Sequence, residues 1–250
     1  MNFPFLVFFV SLVVLALSVW IGTLLRNRKV IEDDLRKDLD IILAATLTLL
    51  GLIIGFSFSM AISRYDQRKN YEEAEANAIG TEYVRADLLP SPDAAKVRAL
   101  LRDYLAQRVL FYQSRDEHGL QKIDDLTARL QTELWSAVQL PAEAQPTPVI
   151  GLAVSGMNDV LNSEGYTQAA WWNRIPIAAW ALMMAIAICS NVLVGYAAHS
   201  VKTGITQLLI LPLVLSISFL LIADIDSPRT GVIRVHPQNL ISLVHSLRAQ

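Results

Sequence analysis

Residues 41–62 form an unbroken apolar run that passes, with no proline between, into the polar stretch Ser63-Arg64-Tyr65-Asp66-Gln67-Arg68-Lys69. About 20 apolar residues cross a bilayer as a helix, so this run is long enough to span one. From there to Leu89 only Gly80 opposes a helix, and glycine weakens a helix interior without forbidding it. Residues 39–90 are therefore predicted to be one long helix that begins in lipid and ends in water. Such a rod can link a membrane path to a water-exposed assembly.

Three other stretches share the character of the first run. Hydrophobic residues make up 53% of the chain and charged ones 18%, against about 25% charged in a soluble globule, and mean hydropathy is +0.39. Residues 4–25, 41–62, 175–198 and 204–223 contain no Lys, Arg, Asp or Glu, the residues most penalised at the bilayer centre. The expectation is an all-α membrane protein with four transmembrane helices. Its organisation would be two spans and a short loop (1–62), a helical soluble segment (63–174), two further spans (175–223) and a C-terminal tail (224–250). The first run is read as a retained span, because Met1-Asn2-Phe3 carries no basic residue and the run exceeds a signal-peptide core.

Charge does not orient these spans. Arg26, Arg28, Lys29, Arg36, Lys37 and Lys202 on the loop side balance Arg64, Arg68, Lys69, Arg174, Arg229 and Arg234 on the other, and the positive-inside rule returns a tie. The mixed charges Glu32, Asp33, Asp34, Arg36 and Lys37 read as a solvated turn or short interfacial helix.

Between the second and third spans the apolar pattern is helical. Pro90-Ser91-Pro92-Asp93 ends one helix and starts another, with Ser91 the expected N-cap and Pro92 the first helical residue. Val97, Leu100, Leu101, Tyr104, Leu105 and Phe111 then form one apolar stripe. After a break expected at His118-Gly119, Ile123, Leu126, Leu130, Leu134 and Val138 form a second. Pro141, Pro146 and Pro148 mark a linker before Ile150, Val154, Met157 and Leu161. Core packing accounts for each stripe. Trp171 and Trp172 precede the third span, where indoles favour the membrane interface.

Catalytic patterns are missing. No phosphate-binding glycine loop, dinucleotide fingerprint or nucleophile elbow occurs, so no enzyme and no cofactor are expected. His118, His199, His236 and His245 are scattered, and Cys189 lies alone in the third span, so no metal site is expected. Glu72, Glu73 and Glu75 beside Arg68 and Lys69 read as intrahelical pairs in water. Asp224 and Asp226 are too few for a calcium cage of six to eight oxygens and read as caps of the turn at Ser227-Pro228. A formal net charge of −2 gives no reason to expect a nucleic-acid partner.

Two faces of the second span can be separated. Gly51, Gly55 and Ser59 recur every four residues and form a small-residue ridge that admits another helix closely. Offset by one, Thr48, Leu52 and Phe56 could point at a common axis, where rings of apolar side chains gate by dewetting, or simply at lipid or other helices. Arg64 continues that line eight residues beyond Phe56 and would ring the exit with positive charge.

Longer motifs narrow this choice. Gly55-Phe56-Ser57-Phe58-Ser59, Ser63-Arg64-Tyr65-Asp66-Gln67-Arg68, Glu75-Ala76-Asn77-Ala78-Ile79-Gly80-Thr81 and Arg85-Ala86-Asp87-Leu88-Leu89-Pro90 resemble the signature of the bacterial bestrophin-like domain family of unknown function. So does the tail Asp224-Ile225-Asp226-Ser227-Pro228-Arg229-Thr230-Gly231-Val232-Ile233-Arg234-Val235. That family is remotely similar to bestrophins, pentameric anion channels with four spans per subunit and a cytosolic helical base. Their second span bears a Gly-Phe followed, eight residues after the Phe, by Arg and an aromatic residue, a spacing that Gly55, Phe56, Arg64 and Tyr65 reproduce. The resemblance places a hydrophobic neck at Phe56, Leu52 and Thr48, where Thr48 departs from the usual apolar residue. It marks Tyr65, Arg68, Glu75, Asn77, Gly80, Arg85, Asp224, Asp226 and Arg229 as motif residues.

By this resemblance the chain is expected to be a homo-oligomer, a pentamer, in the lipid of a bacterial inner membrane. It would pass inorganic anions passively, with its soluble segment and tail in the cytoplasm. A non-conducting sensor or scaffold whose helical segment binds a partner protein is the rival reading.

Overall fold

The computed structural model describes residues 3–26, 33–198 and 205–248. Arg28, Lys29, Glu32, Lys202 and His199, which entered the charge and metal readings, lie outside them. Every regular element among the described residues is helical: α1 (Pro4–Arg26), α2 (Asp33–Arg85), a 3₁₀ turn (Ala86–Leu88), α3 (Ser91–Gln113), α4 (Glu117–Ala144), α5 (Pro148–Trp172), α6 (Ile177–Ala197), α7 (Ile205–Asp226) and α8 (Gln238–Arg248). Among the described residues, four helices are long and apolar enough to cross a membrane. The predicted rod is α2, 53 residues without a break, which at 1.5 Å per residue is about 80 Å long. Asp33–Asp40 belong to this rod, not to a separate turn.

Two compact units divide the chain: Met1–Arg64 with Arg174–Arg234, and Tyr65–Asn173 with Val235–Gln250. The tail is thus shared between them. In the first unit α1 packs along α6 and α7. Its seam uses Ser11, Leu15, Ser18, Val19 and Gly22 against Met183, Ala187, Ser190, Asn191 and Gly195, all buried. The two glycines face each other's backbone. A Cβ on Gly22 would overlap the Val192 carbonyl oxygen, and one on Gly195 would overlap that of Val19. Without a hydrophobic drive between helices in lipid, such close backbone approach supplies the attraction.

In the second unit the apolar stripes interlock. Ile79 and Tyr83 of α2 meet Val97, Leu101, Tyr104 and Phe111 of α3, Leu134 and Val138 of α4, Met157 and Val160 of α5 and Leu240 of α8 in one core. Leu126, counted in the α4 stripe, is 41% exposed.

Several local expectations are corrected. Pro90, not Ser91, is the N-cap of α3, because its carbonyl accepts the first helical bond, from Ala94 N at 2.9 Å. The chain breaks before His118-Gly119, at residues 114–116. There the Asp116 carboxylate accepts from Gly119 N at 2.9 Å and draws the glycine into the first turn of α4. Pro141 lies inside α4, one turn from its end. Trp171 is a core residue, edge-on to Phe111 and Tyr112 with centroids 5.1 and 5.5 Å away, while Trp172 is exposed.

A candidate pore helix and its anchors

The membrane half of α2 buries a narrow stripe, Leu50, Ser57 and Ala61, within its own unit. The opposite side is uncovered. Leu52 is 53% exposed and Phe56 64%, and Thr48, Gly51, Gly55 and Ser59 are exposed with them. A Cβ added at Gly51 or Gly55 meets nothing within 4 Å, so open space lies beside both glycines of the small-residue ridge. The Thr48 hydroxyl donates to the Ala44 carbonyl at 2.8 Å, so the helix itself takes up its donor. That is how a threonine can occupy an otherwise apolar row.

Arg64 does not continue this row. Each four-residue step on a 3.6-residue helix advances about 40°, and two steps beyond Phe56 the drift has turned the side chain onto the buried stripe. Its side chain is 14% exposed, with Nη1 3.5 Å from Asp226 Oδ1. Asp226 also accepts from the Ile175 backbone N–H at 3.1 and 3.2 Å. One carboxylate thereby ties the end of α7 to α2 and to the entry of α6.

Asp224, two residues earlier, closes the following loop. Its two oxygens accept from Val232 N at 2.7 Å and Ile233 N at 2.8 Å. The expected cap of the Ser227-Pro228 turn is instead the Asp224 main-chain carbonyl, which accepts from Ser227 N at 3.2 Å. Gly231 lies against that same carbonyl, where a Cβ would overlap the oxygen. Arg229 is half-buried in this loop.

On the polar half of α2, Glu73 and Lys69 are exposed, but Glu72 and Glu75 are buried and depart from the reading of these charges as solvated pairs. Glu75 is fully buried, and its carboxylate accepts from Arg108 Nε, from the Tyr112 hydroxyl at 3.2 Å and from Thr167 Oγ1 at 3.2 Å. Arg108 is equally buried, its Nη1 3.8 Å from Glu164 and its guanidinium carbon 4.5 Å over the Phe111 ring. Burial opposes its charge, but Glu75, with Tyr104 and Glu164, outweighs burial and raises its pKa. Burial and then Glu75 push the Tyr112 hydroxyl up as well. The network holds α2, α3 and α5 in one register.

Glu72 reaches α8. Its Oε1 accepts from Asn239 N at 2.9 Å and Leu240 N at 3.0 Å, and Oε2 from Asn239 Nδ2 at 2.7 Å. A carboxylate on a helix N-terminus satisfies orphan donors and opposes the dipole. Glu72→Ala is expected to cost about 1–2 kcal/mol, seen as a loss of roughly tenfold in amide-exchange protection confined to α8.

Of the remaining motif residues, Tyr65 is partly buried against the core and Arg68 is 1% exposed. Gly80 faces Leu243, whose Cδ1 would lie 3.2 Å from an added Cβ. Asn77 is exposed and Arg85 half-buried. Sequence reasoning missed Arg108, which sits in the α3 apolar stripe seven residues after Leu101. A charge in that register was the available signal. It also missed the glycine pair of the α1–α6 seam and the buried Glu82. Among the described residues no three His, Cys, Asp or Glu side chains converge as a metal site would require.

A four-span, all-helical membrane protein is the class this architecture defines. Residues 6–240 match the family model described as the Bestrophin-like domain, and the chain belongs to that family. No curated protein sequence matches it. Among solved structures, it resembles a bacterial bestrophin homolog from Klebsiella pneumoniae bearing a tryptophan-to-alanine mutation, at 13% identity and TM-score 0.64, covering 95% of this chain and 97% of that one. A leucine-to-threonine mutant of the same homolog gives 13% identity and TM-score 0.64 over 97% and 99%. A structure described as a membrane protein with a glycine-to-alanine mutation gives 15% and 0.66 over 97% and 96%. At these identities the likeness is one of fold.

Proposed function

We propose that the protein is a homo-oligomeric channel, a pentamer, that passes inorganic anions such as chloride passively along a pore lined by α2. The observation that carries this reading is the uncovered row of Leu52 and Phe56 beside bare Gly51 and Gly55. Lipid has no need of two exposed glycines, whereas a neighbouring helix uses them for close approach. With that ridge packed on a neighbour's helix, Thr48, Leu52 and Phe56 of each copy turn toward a shared axis. Apolar rings there form a constriction that dewets. Membership of the Bestrophin-like family supports the reading, as does a site that requires no chemistry.

Arg64, turned onto Asp226, acts here as a fastener of α2 and not as an exit charge. The second unit and the last helix lie on the cytoplasmic side of a bacterial inner membrane. Reconstituted protein is expected to release chloride from liposomes. Phe56→Ala and Leu52→Ala should each raise that flux severalfold by wetting the constriction. Silence of the wild type and of both variants contradicts the proposal.

A further inference from the structure

Glu82, on the polar half of α2, is 0% exposed, and neither of its carboxylate oxygens has a hydrogen-bond partner. The other buried carboxylates are all paired: Glu72 to the α8 backbone, Glu75 to Arg108, Asp224 to its loop and Asp226 to Ile175. Gly156 of α5 makes the room. A Cβ there would overlap Glu82 Oε2 and lie 2.6 Å from Arg85 Nη1, so carboxyl and guanidinium share one cleared space. The charged groups facing Glu82 are Arg85, three residues on along α2, and Asp159 of α5. From α3, Arg98 and Arg102 turn instead to the Tyr83 carbonyl and hydroxyl, at 3.4 and 2.7 Å.

An ionised carboxylate without a donor is costly to bury, and taking up a proton removes the cost. Burial raises the Glu82 carboxyl to about 8, against the opposing pull of Arg85 and with the help of Asp159. We infer that Glu82 is a proton-binding site of the second unit, occupied at neutral pH and emptied at mildly alkaline pH, with Arg85 answering its charge. Arg85 also lines a groove of about 620 Å³ between α2 and α8, with Asn77, Thr81, Asn239 and Ser242. Loss of the Glu82 proton draws the guanidinium inward, and the groove becomes less positive. Uptake of the proton releases it.

The sign of the linkage is fixed by these values. An unfolded chain loses the proton near 4.5 and the folded one near 8. Across that window the folded state holds the extra proton, so stability falls as pH rises and levels off above it. The unfolding equilibrium should shift by about tenfold per pH unit for this one proton.

Thermal unfolding of the full chain in detergent from about pH 5.5 to about pH 9.5, beside Glu82→Gln, tests this. The glutamine keeps the shape and stays neutral. The wild-type Tm should fall toward pH 8 relative to the variant and then run level with it; parallel profiles overturn the inference. Infrared spectra of the wild type give a second test that needs no variant. A protonated-acid carbonyl band present at neutral pH should bleach on raising the pH, and its absence overturns the inference outright. Neither readout depends on conduction, so failure here and failure of the channel reading are separable.

Discussion

Arg108→Met is expected to lower the stability of the second unit by about 3–5 kcal/mol, because it leaves Glu75 buried without its counter-charge. For a chain of this size that is a fall in Tm of roughly 10 °C. The methionine fills much of the same volume, so lost packing is not the main cost. What is lost is a guanidinium bonded to a carboxylate that has no exposed surface. Adding Glu75→Gln should recover part of the loss, since a neutral amide can still use the Tyr112 and Thr167 hydroxyls. Fluorescence of Trp171, packed on Phe111 and Tyr112 beside this network, reports the transition. A double variant that unfolds as early as the sum of both singles would show that the two residues do not act as a pair.

Gly195→Val is the second large effect. The valine would have to sit where the Val19 carbonyl of α1 already lies, and backbone cannot rotate away as a side chain can. Separating α1 from α6 also loosens the contacts of Leu15 and Met183, both fully buried. A cost of about 2–4 kcal/mol is expected, read as a lower detergent Tm and a polydisperse elution profile. Gly151→Ala, where an added Cβ meets nothing within 4 Å, is the control. It should be neutral or slightly stabilising, as alanine is the better helix former.

How much of this was legible beforehand depends on the range of the interaction. The 53-residue α2 was legible because its cause is local: good helix formers, no proline and only three glycines, each tolerated in a helix interior. The apolar stripes of α3, α4 and α5 were legible for the same reason. Glu72 and Glu75 depart from the expected solvated pairs because an i, i+4 spacing of Arg and Glu looks identical whether the partner is on the same helix or another. Glu75 finds Arg108 and Glu72 finds α8 only through the tertiary fold. Asp116 pulling Gly119 into a helix shows a side-chain cap overruling a breaker. Arg64 was misplaced by extending a four-residue repeat on a 3.6-residue helix, where drift accumulates.

The candidate pore divides along the same line. That Leu52 and Phe56 share a face follows from spacing alone. That this face is left uncovered, with Gly51 and Gly55 beside it, became visible only once α1, α6 and α7 had taken their places. Exposure in one subunit defines a surface that a neighbour can complete.

Single-particle imaging of the protein in lipid nanodiscs tests that completion most directly. A ring of five copies is predicted, with Leu52 and Phe56 the side chains nearest its axis and Gly51 and Gly55 against the adjoining subunit. A lone subunit, or a ring in which Phe56 points outward into acyl chains, contradicts the account.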